Sequence, residues 1–237
     1  MMKINNDIIF GLLLFGLGIF LKFLPNFDIR LLEFFNSFLF SEVFFTYFTE
    51  FGNGWFVVAL VIPILSFISY QSKQLSNVPM QALIISGIYI GLIVQILKEE
   101  VFPFTRPALE MLDSVNYVEP IFRYASFPSG HAATIFGVVL FWIKLTSVEN
   151  LKLANKLILY IVLGFAVCVA LSRVIIAAHW FTDVLASLGL VLVLRSALSL
   201  NLVRSHLMEG NVGKYFSYFL VLIAWLGIIF FDVTEYF

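Results

Sequence analysis

Residues 157–200 read LILYIVLGFAVCVALSRVIIAAHWFTDVLASLGLVLVLRSALSL. Two apolar runs, 157–171 and 183–200, flank a short stretch that holds Ser172, Arg173, His179 and Asp183. Each run approaches the roughly 20 mostly apolar residues that a helix needs to cross a hydrocarbon core. In lipid the backbone must satisfy its polar groups internally, so such runs are helices rather than open strands. The stretch therefore predicts two membrane helices joined at one bilayer face, with polar side chains gathered at the joint.

The same pattern recurs at 8–24, 55–70, 81–97, Gly130–Leu145 and 215–231. Composition agrees: of 237 residues 61% are hydrophobic and 12% charged, with a mean hydropathy of +1.00. A soluble domain is about 45–50% apolar and about 25% charged, and a chain this short cannot bury such an excess within itself. The expected fold is all-α, a polytopic membrane helical bundle of about six to seven transmembrane helices. No linker or internal repeat divides it. One domain is expected over 1–237, with a core at 81–200 and an additional C-terminal span at 215–231. The net charge of −1 excludes the basic balance of a nucleic-acid binder. The single cysteine, Cys168, has no disulfide partner and no zinc-ligand spacing. Lys3 ahead of run 8–24 has the look of a signal peptide, but the run is long and lacks a small-residue cleavage site, so it is read as a retained span.

The segment 25–51 differs. It is rich in phenylalanine, yet Asp28, Arg30, Glu33, Asn36, Glu42 and Glu50 interrupt it. It is expected to lie along the interface as one or two short helices, an eighth span being the weaker alternative. Gly52-Asn53-Gly54 then breaks the chain. The loop 99–128 stands out because long loops in compact proteins usually carry a task.

Lysine and arginine counts orient the chain. One set of loops holds Lys3, Lys73, Lys152, Lys156, Arg204 and Lys214, with Lys144 near a helix end. This set is expected in the cytoplasm with the N-terminus. The loop 99–128 then faces outward, and Asp232 and Glu235 lie outside too.

Three clusters fall on the outward side: Lys98 with Arg106-Pro107, then Pro128-Ser129-Gly130-His131, then Ser172-Arg173, His179 and Asp183. Singly, Lys98, Arg106 and Arg173 could each be snorkelling residues. Cations at membrane depth usually have a partner, and three of them without a matching acidic cluster suit a phosphate, which arginine grips with a planar fork and lysine with a point charge. Ser129-Gly130 open an expected helix, whose free N–H groups and positive dipole end suit an anion. His179 and Asp183, four apart, share a helix face. A carboxylate on one imidazole nitrogen fixes the tautomer and leaves the other to attack. His131 could protonate a leaving oxygen and later activate water. His206 falls in a cytoplasmic loop and takes no role.

These residues resemble the motifs of the type 2 phosphatidic acid phosphatase (PAP2) superfamily, K-x6-R-P, P-S-G-H and S-R-x5-H-x3-D. The second stands intact at Pro128–His131 and the third at Ser172–Asp183. Two features depart from the pattern: seven residues separate Lys98 from Arg106, and Ala177 replaces a frequent glycine two before the histidine. The resemblance covers Lys98 to about Leu200. It implies that His179 attacks phosphorus to form phosphohistidine, that Asp183 holds its tautomer, and that His131 is the acid and then the base. It further implies that Lys98, Arg106, Ser129, Gly130 and Arg173 bind the phosphoryl oxygens, with no cofactor and no metal ion. The sequence likewise offers no outward carboxylate cluster for magnesium.

A lipid phosphatase follows as the expectation, embedded in a bacterial inner membrane with its site facing the periplasm. Its partners would be the bilayer and a phosphorylated lipid, with no nucleic acid and no obligate protein partner. Resemblance to small bacterial enzymes of the superfamily favours a lipid A 1-phosphatase. Phosphatidylglycerophosphate and undecaprenyl pyrophosphate are alternatives. The loop 108–127, with Glu110, Asp113, Glu119 and Arg123, makes a net-acidic lip that disfavours a highly anionic headgroup unless Arg123 turns inward. A vanadium haloperoxidase shares the constellation but is soluble. A non-catalytic transporter or scaffold would not need His131, His179 and Asp183 together.

Overall fold

The computed structural model describes residues 6–72, 75, 79–111, 113–118, 120–146, 151–198, 211–231 and 233–234. Lys3, Lys73, Glu119, Arg204, His206, Asp232 and Glu235 lie outside the described residues. Those described form helices and loops: α1 (Asn6–Lys22), α2 (Pro25–Asn36), α3 (Glu42–Thr49), α4 (Gly54–Gln71), α5 (Met80–Val101), the single turn α6 (Pro107–Glu110), α7 (Gly130–Leu145), α8 (Leu153–Ile175), α9 (Phe181–Leu198) and α10 (Asn211–Phe230). The all-helical membrane bundle expected from the sequence is what the chain forms.

Four helices, α4, α5, α8 and the Gly213–Phe230 part of α10, are long and apolar enough to cross a membrane. A fifth crossing arises if α1 and α2, bent by 100° at residues 23–24, count as one. Pro25 sits at the start of α2, where a missing N–H costs nothing. α7 is 16 residues long and apolar. It is buried along almost its whole length from Ala132 to Trp142, as befits a helix with no polar face, and α5, α8 and α9 pack around it.

α1 makes the most extensive helix pair in the bundle, with α9. The helices approach closely: a Cβ on Gly11 would lie 2.7 Å from the Gly189 carbonyl oxygen, and one on Gly18 2.9 Å from Ala186 Cβ. Such small-residue contacts are how helices pack where lipid offers no hydrophobic drive. One end of the bundle is tied by Asp7, whose carboxylate lies 2.9 Å from both Lys144 and Arg195. The other ends of α1, α7 and α9 carry Lys22, Ser129 and Asp183, so the sequence clusters collect at the opposite end.

The segment 25–51 forms two short helices, α2 and α3. Many of its phenylalanines are exposed, Phe34 and Phe40 among them, while Asp28, Asn36, Thr49 and Glu50 are buried. Of the charges that break its apolar pattern, Asp28 and Glu50 therefore point into the protein, while Arg30, Glu33 and Glu42 are exposed. Asn36 shows the use: its amide donates to the carbonyls of Ile175 and Asn116, both at 2.8 Å, and so caps the end of α8.

Candidate active site

α8 ends in a left-handed turn. Ala177 has φ 56°, and the amides of Ala177 and Ala178 donate back to the carbonyls of Val174 and Arg173, both at 3.0 Å. This is the Schellman closure, in which the left-handed position is usually glycine. It explains why the superfamily favours glycine where this chain has alanine. The turn also delivers His179, whose amide donates to the same Arg173 carbonyl at 3.0 Å.

α9 then starts with Asp183 at its third position. The carboxylate reaches back to the Trp180 amide at 3.0 Å, the side-chain half of a capping box. The same oxygen, Oδ2, lies 3.3 Å from His179 Nδ1 and accepts from Ser126 Oγ at 2.5 Å. Oδ1 has the Lys22 ammonium at 2.7 Å. Asp183 and His179 are fully or almost fully buried, at 0% and 1% exposure. A carboxylate so surrounded is compensated as a buried charge must be, and His179 Nε2 is the ring nitrogen left facing away from it.

The second motif meets the third directly. Ser129 N–H donates to the Asp183 carbonyl at 3.3 Å, and Ser187 Oγ lies 2.9 Å from the Ser129 carbonyl and 2.7 Å from that of Asp183. Ser129 caps α7 through its backbone alone. Its hydroxyl is buried without a hydrogen-bond partner among the described residues, at a helix start whose N–H groups favour an anion. His131, the second residue of α7, is backed by Gly52. A Cβ there would lie 2.7 Å from His131 Cβ and 3.0 Å from its carbonyl oxygen, so only glycine lets this turn pack against the helix.

The three expected phosphate-binding cations converge on this end. Lys98 stands in a π turn, Leu97–Val101, closed by the Phe102 amide on the Leu97 carbonyl at 2.8 Å. A π turn takes up one residue more than an α turn, and this one lies within the seven-residue spacing to Arg106. The Lys98 Nζ lies 3.8 Å from where a Cβ on Gly130 would stand. Arg173 is fully buried and donates to Thr49 Oγ1 at 3.1 Å. Arg106 donates to the carbonyls of Tyr124 at 2.9 Å and Ala178 at 3.4 Å, beneath the Phe122 ring. It thus fastens the loop beside His179.

That loop is folded back on itself, with Arg106 N–H on the Arg123 carbonyl and Ser126 N–H on the Phe104 carbonyl. Burial pushes the Tyr117 phenol on it up to about 12. Arg123 is exposed rather than turned inward, Asp113 is exposed, and Glu110 accepts from Thr105 Oγ1 at 2.8 Å. A cavity of about 530 Å³ between α4, α5 and α10 is apolar and is lined by none of the motif residues. Chemistry, not cavity size, marks the site.

Lys22, Asp28, Thr49, Gly52, Ser126 and Ser187 were not among the site residues read from the sequence. Only Asp28 carried a signal, a charge inside an aromatic segment. The Thr182 hydroxyl and amide donate to its carboxylate at 2.5 and 3.1 Å.

Two solved structures share the fold. Aquifex aeolicus LpxE is 26% identical with a TM-score of 0.52, over 71% of this chain and 92% of that one. A PAP2-type phosphatidylglycerolphosphate phosphatase from Bacillus subtilis is 22% identical with a TM-score of 0.56, over 83% and 95%. No curated protein matches the sequence. Residues 79–204, over half of the 237, match the model of the PAP2 superfamily and contain every motif residue built into this site. By that match the chain belongs to the PAP2 superfamily, and with its apolar helices it is an integral-membrane phosphatase, a hydrolase of phosphoric esters.

Proposed function

We propose that the chain removes phosphate from a membrane lipid through a phosphohistidine on His179, without a metal ion, at the periplasmic face of a bacterial inner membrane. The observation that carries this reading is the union of two motifs. Asp183 holds His179 Nδ1 at 3.3 Å through its side chain and the Ser129 amide at 3.3 Å through its backbone.

In this mechanism His179 Nε2 attacks phosphorus and the bond to the lipid oxygen breaks. His131 gives that oxygen its proton. It then takes a proton from water, which cleaves the phosphorus–nitrogen bond, frees inorganic phosphate and restores His179. Lys98, Arg106, Arg173, Ser129 and Gly130 carry the charge that builds on the phosphoryl oxygens. The mechanism dispenses with a metal ion because these side chains supply the positive charge that the phosphoryl oxygens need. The whole chain acts as one unit with its core at 81–200, and 215–231 adds a span. The bilayer and the lipid are its partners, with no nucleic acid and no obligate protein.

We take the lipid to be lipid A bearing a 1-phosphate, favoured by the overall likeness to small bacterial superfamily enzymes such as LpxE. Phosphatidylglycerophosphate is the second reading. Its support is the net-acidic lip, where Arg123 is exposed beside exposed Glu110 and Asp113 rather than turned inward. Mass spectrometry of total lipids with and without the gene decides between them. Lipid A heavier by one phosphate in the deletion strain supports the first reading. Accumulated phosphatidylglycerophosphate with unchanged lipid A supports the second. An unaltered lipid profile refutes both.

A further inference from the structure

We propose that Lys22 and Asp28, from the α1–α2 corner, are positioning residues of the catalytic assembly, holding the Asp183 carboxylate in place behind His179. This rests on the reading of His179 and Asp183 as the nucleophile pair. Both residues lie outside the matched stretch 79–204 and outside all three motifs.

A lysine at the end of a membrane helix ordinarily extends its ammonium to water. Lys22 does the reverse. Its side chain is 7% exposed, and the ammonium lies 2.7 Å from Asp183 Oδ1 and 3.4 Å from Asp28 Oδ2. The rings of Trp180 and Phe104 stand over it, with centroids at 5.3 and 5.9 Å. The close α1–α9 crossing fixes its height, and the 100° bend behind it turns Asp28 back to meet Thr182, next to Asp183.

The charges explain why two residues are needed. Asp183 must offer His179 a negative partner when the imidazole takes a phosphoryl group and becomes cationic. Lys22 alone would neutralise it. Asp28 restores the balance, since two carboxylates against one ammonium leave one negative charge. Oδ2 is already shared by His179, Ser126 and Trp180. Lys22 on Oδ1 therefore sets the carboxylate's rotation, and with it the direction of the imidazole.

The test uses the full-length protein in detergent, with phosphate release measured from phosphatidic acid micelles. Lys22→Gln keeps a donor and removes the charge, Lys22→Arg keeps the charge, and each is also combined with Asp183→Asn. We expect Lys22→Gln to lower kcat by about ten- to a hundredfold with little change in KM, as loss of an outer-shell partner does. Lys22→Arg should recover most of that loss. In the Asp183→Asn background Lys22→Gln should cost almost nothing more, because its effect passes through Asp183. Full activity in Lys22→Gln overturns the proposal, as do losses that multiply, a rise confined to KM, or a fall in melting temperature that Lys22→Arg shares. An Asp183→Asn protein as active as the parent would instead overturn the nucleophile pair itself.

Discussion

Asp183 makes contacts to four residues through one carboxylate. It caps α9 at Trp180, lies 3.3 Å from His179 Nδ1, receives Ser126 and meets Lys22. Residues of this kind are partly legible in sequence. The histidine and aspartate share a helix turn, so their spacing announces them, and the Pro-Ser-Gly-His run announces a helix start. Ser126, Lys22 and Asp28 have no such spacing. Asp28 and Thr182 are 154 positions apart, and only the folded chain brings them together. Arg173 tests whether fork geometry matters. It is fully buried and already bonded to Thr49, so a lysine cannot reproduce both that bond and a planar grip on phosphate. Arg173→Lys should lower kcat by about a hundredfold, the usual cost of a lost oxyanion donor. A steady-state assay showing parental turnover would remove Arg173 from the phosphate site.

At the scale of elements, the helices were legible and their ends were not. The run 8–24 gave a helix, which counts toward a span only together with α2, and the 100° bend after Lys22 depends on how α2 packs against α8 and α9. The π turn at Leu97–Val101 left no mark beyond the longer spacing to Arg106. The left-handed turn at Ala177 did leave one, as a glycine position filled by alanine. An alanine held there loses about 1–2 kcal/mol relative to an unstrained position, while glycine brings back about 0.4–1 kcal/mol of unfolded-chain entropy. Strain relief is the larger effect. Ala177→Gly should raise stability by about 0.5–1 kcal/mol, read as a small increase in melting temperature with activity retained. A lower melting temperature would mean that the Ala177 side chain contributes packing that outweighs the strain.

For the whole molecule, composition and the apolar runs were enough to read a helical membrane bundle, because lipid leaves so few alternatives. They could not show that the first helix and the aromatic segment after it close over the catalytic end, since that depends on tertiary contacts. The polar interior has a consequence for metal dependence. In the proposed mechanism Lys98, Arg106 and Arg173 carry the charge on the phosphoryl oxygens without a metal ion, so phosphate release should persist in excess EDTA. A strict requirement for added divalent ion, seen as full loss in EDTA and recovery with magnesium, would contradict the mechanism.

The most direct measurement is rapid acid-free quenching of the full-length protein with a lipid substrate carrying radiolabelled phosphate, followed by peptide mapping. We expect an acid-labile, base-stable label on the peptide containing His179, and neither label nor phosphate release in His179→Ala. Label on another residue, or turnover in His179→Ala at the parental rate, would contradict the account.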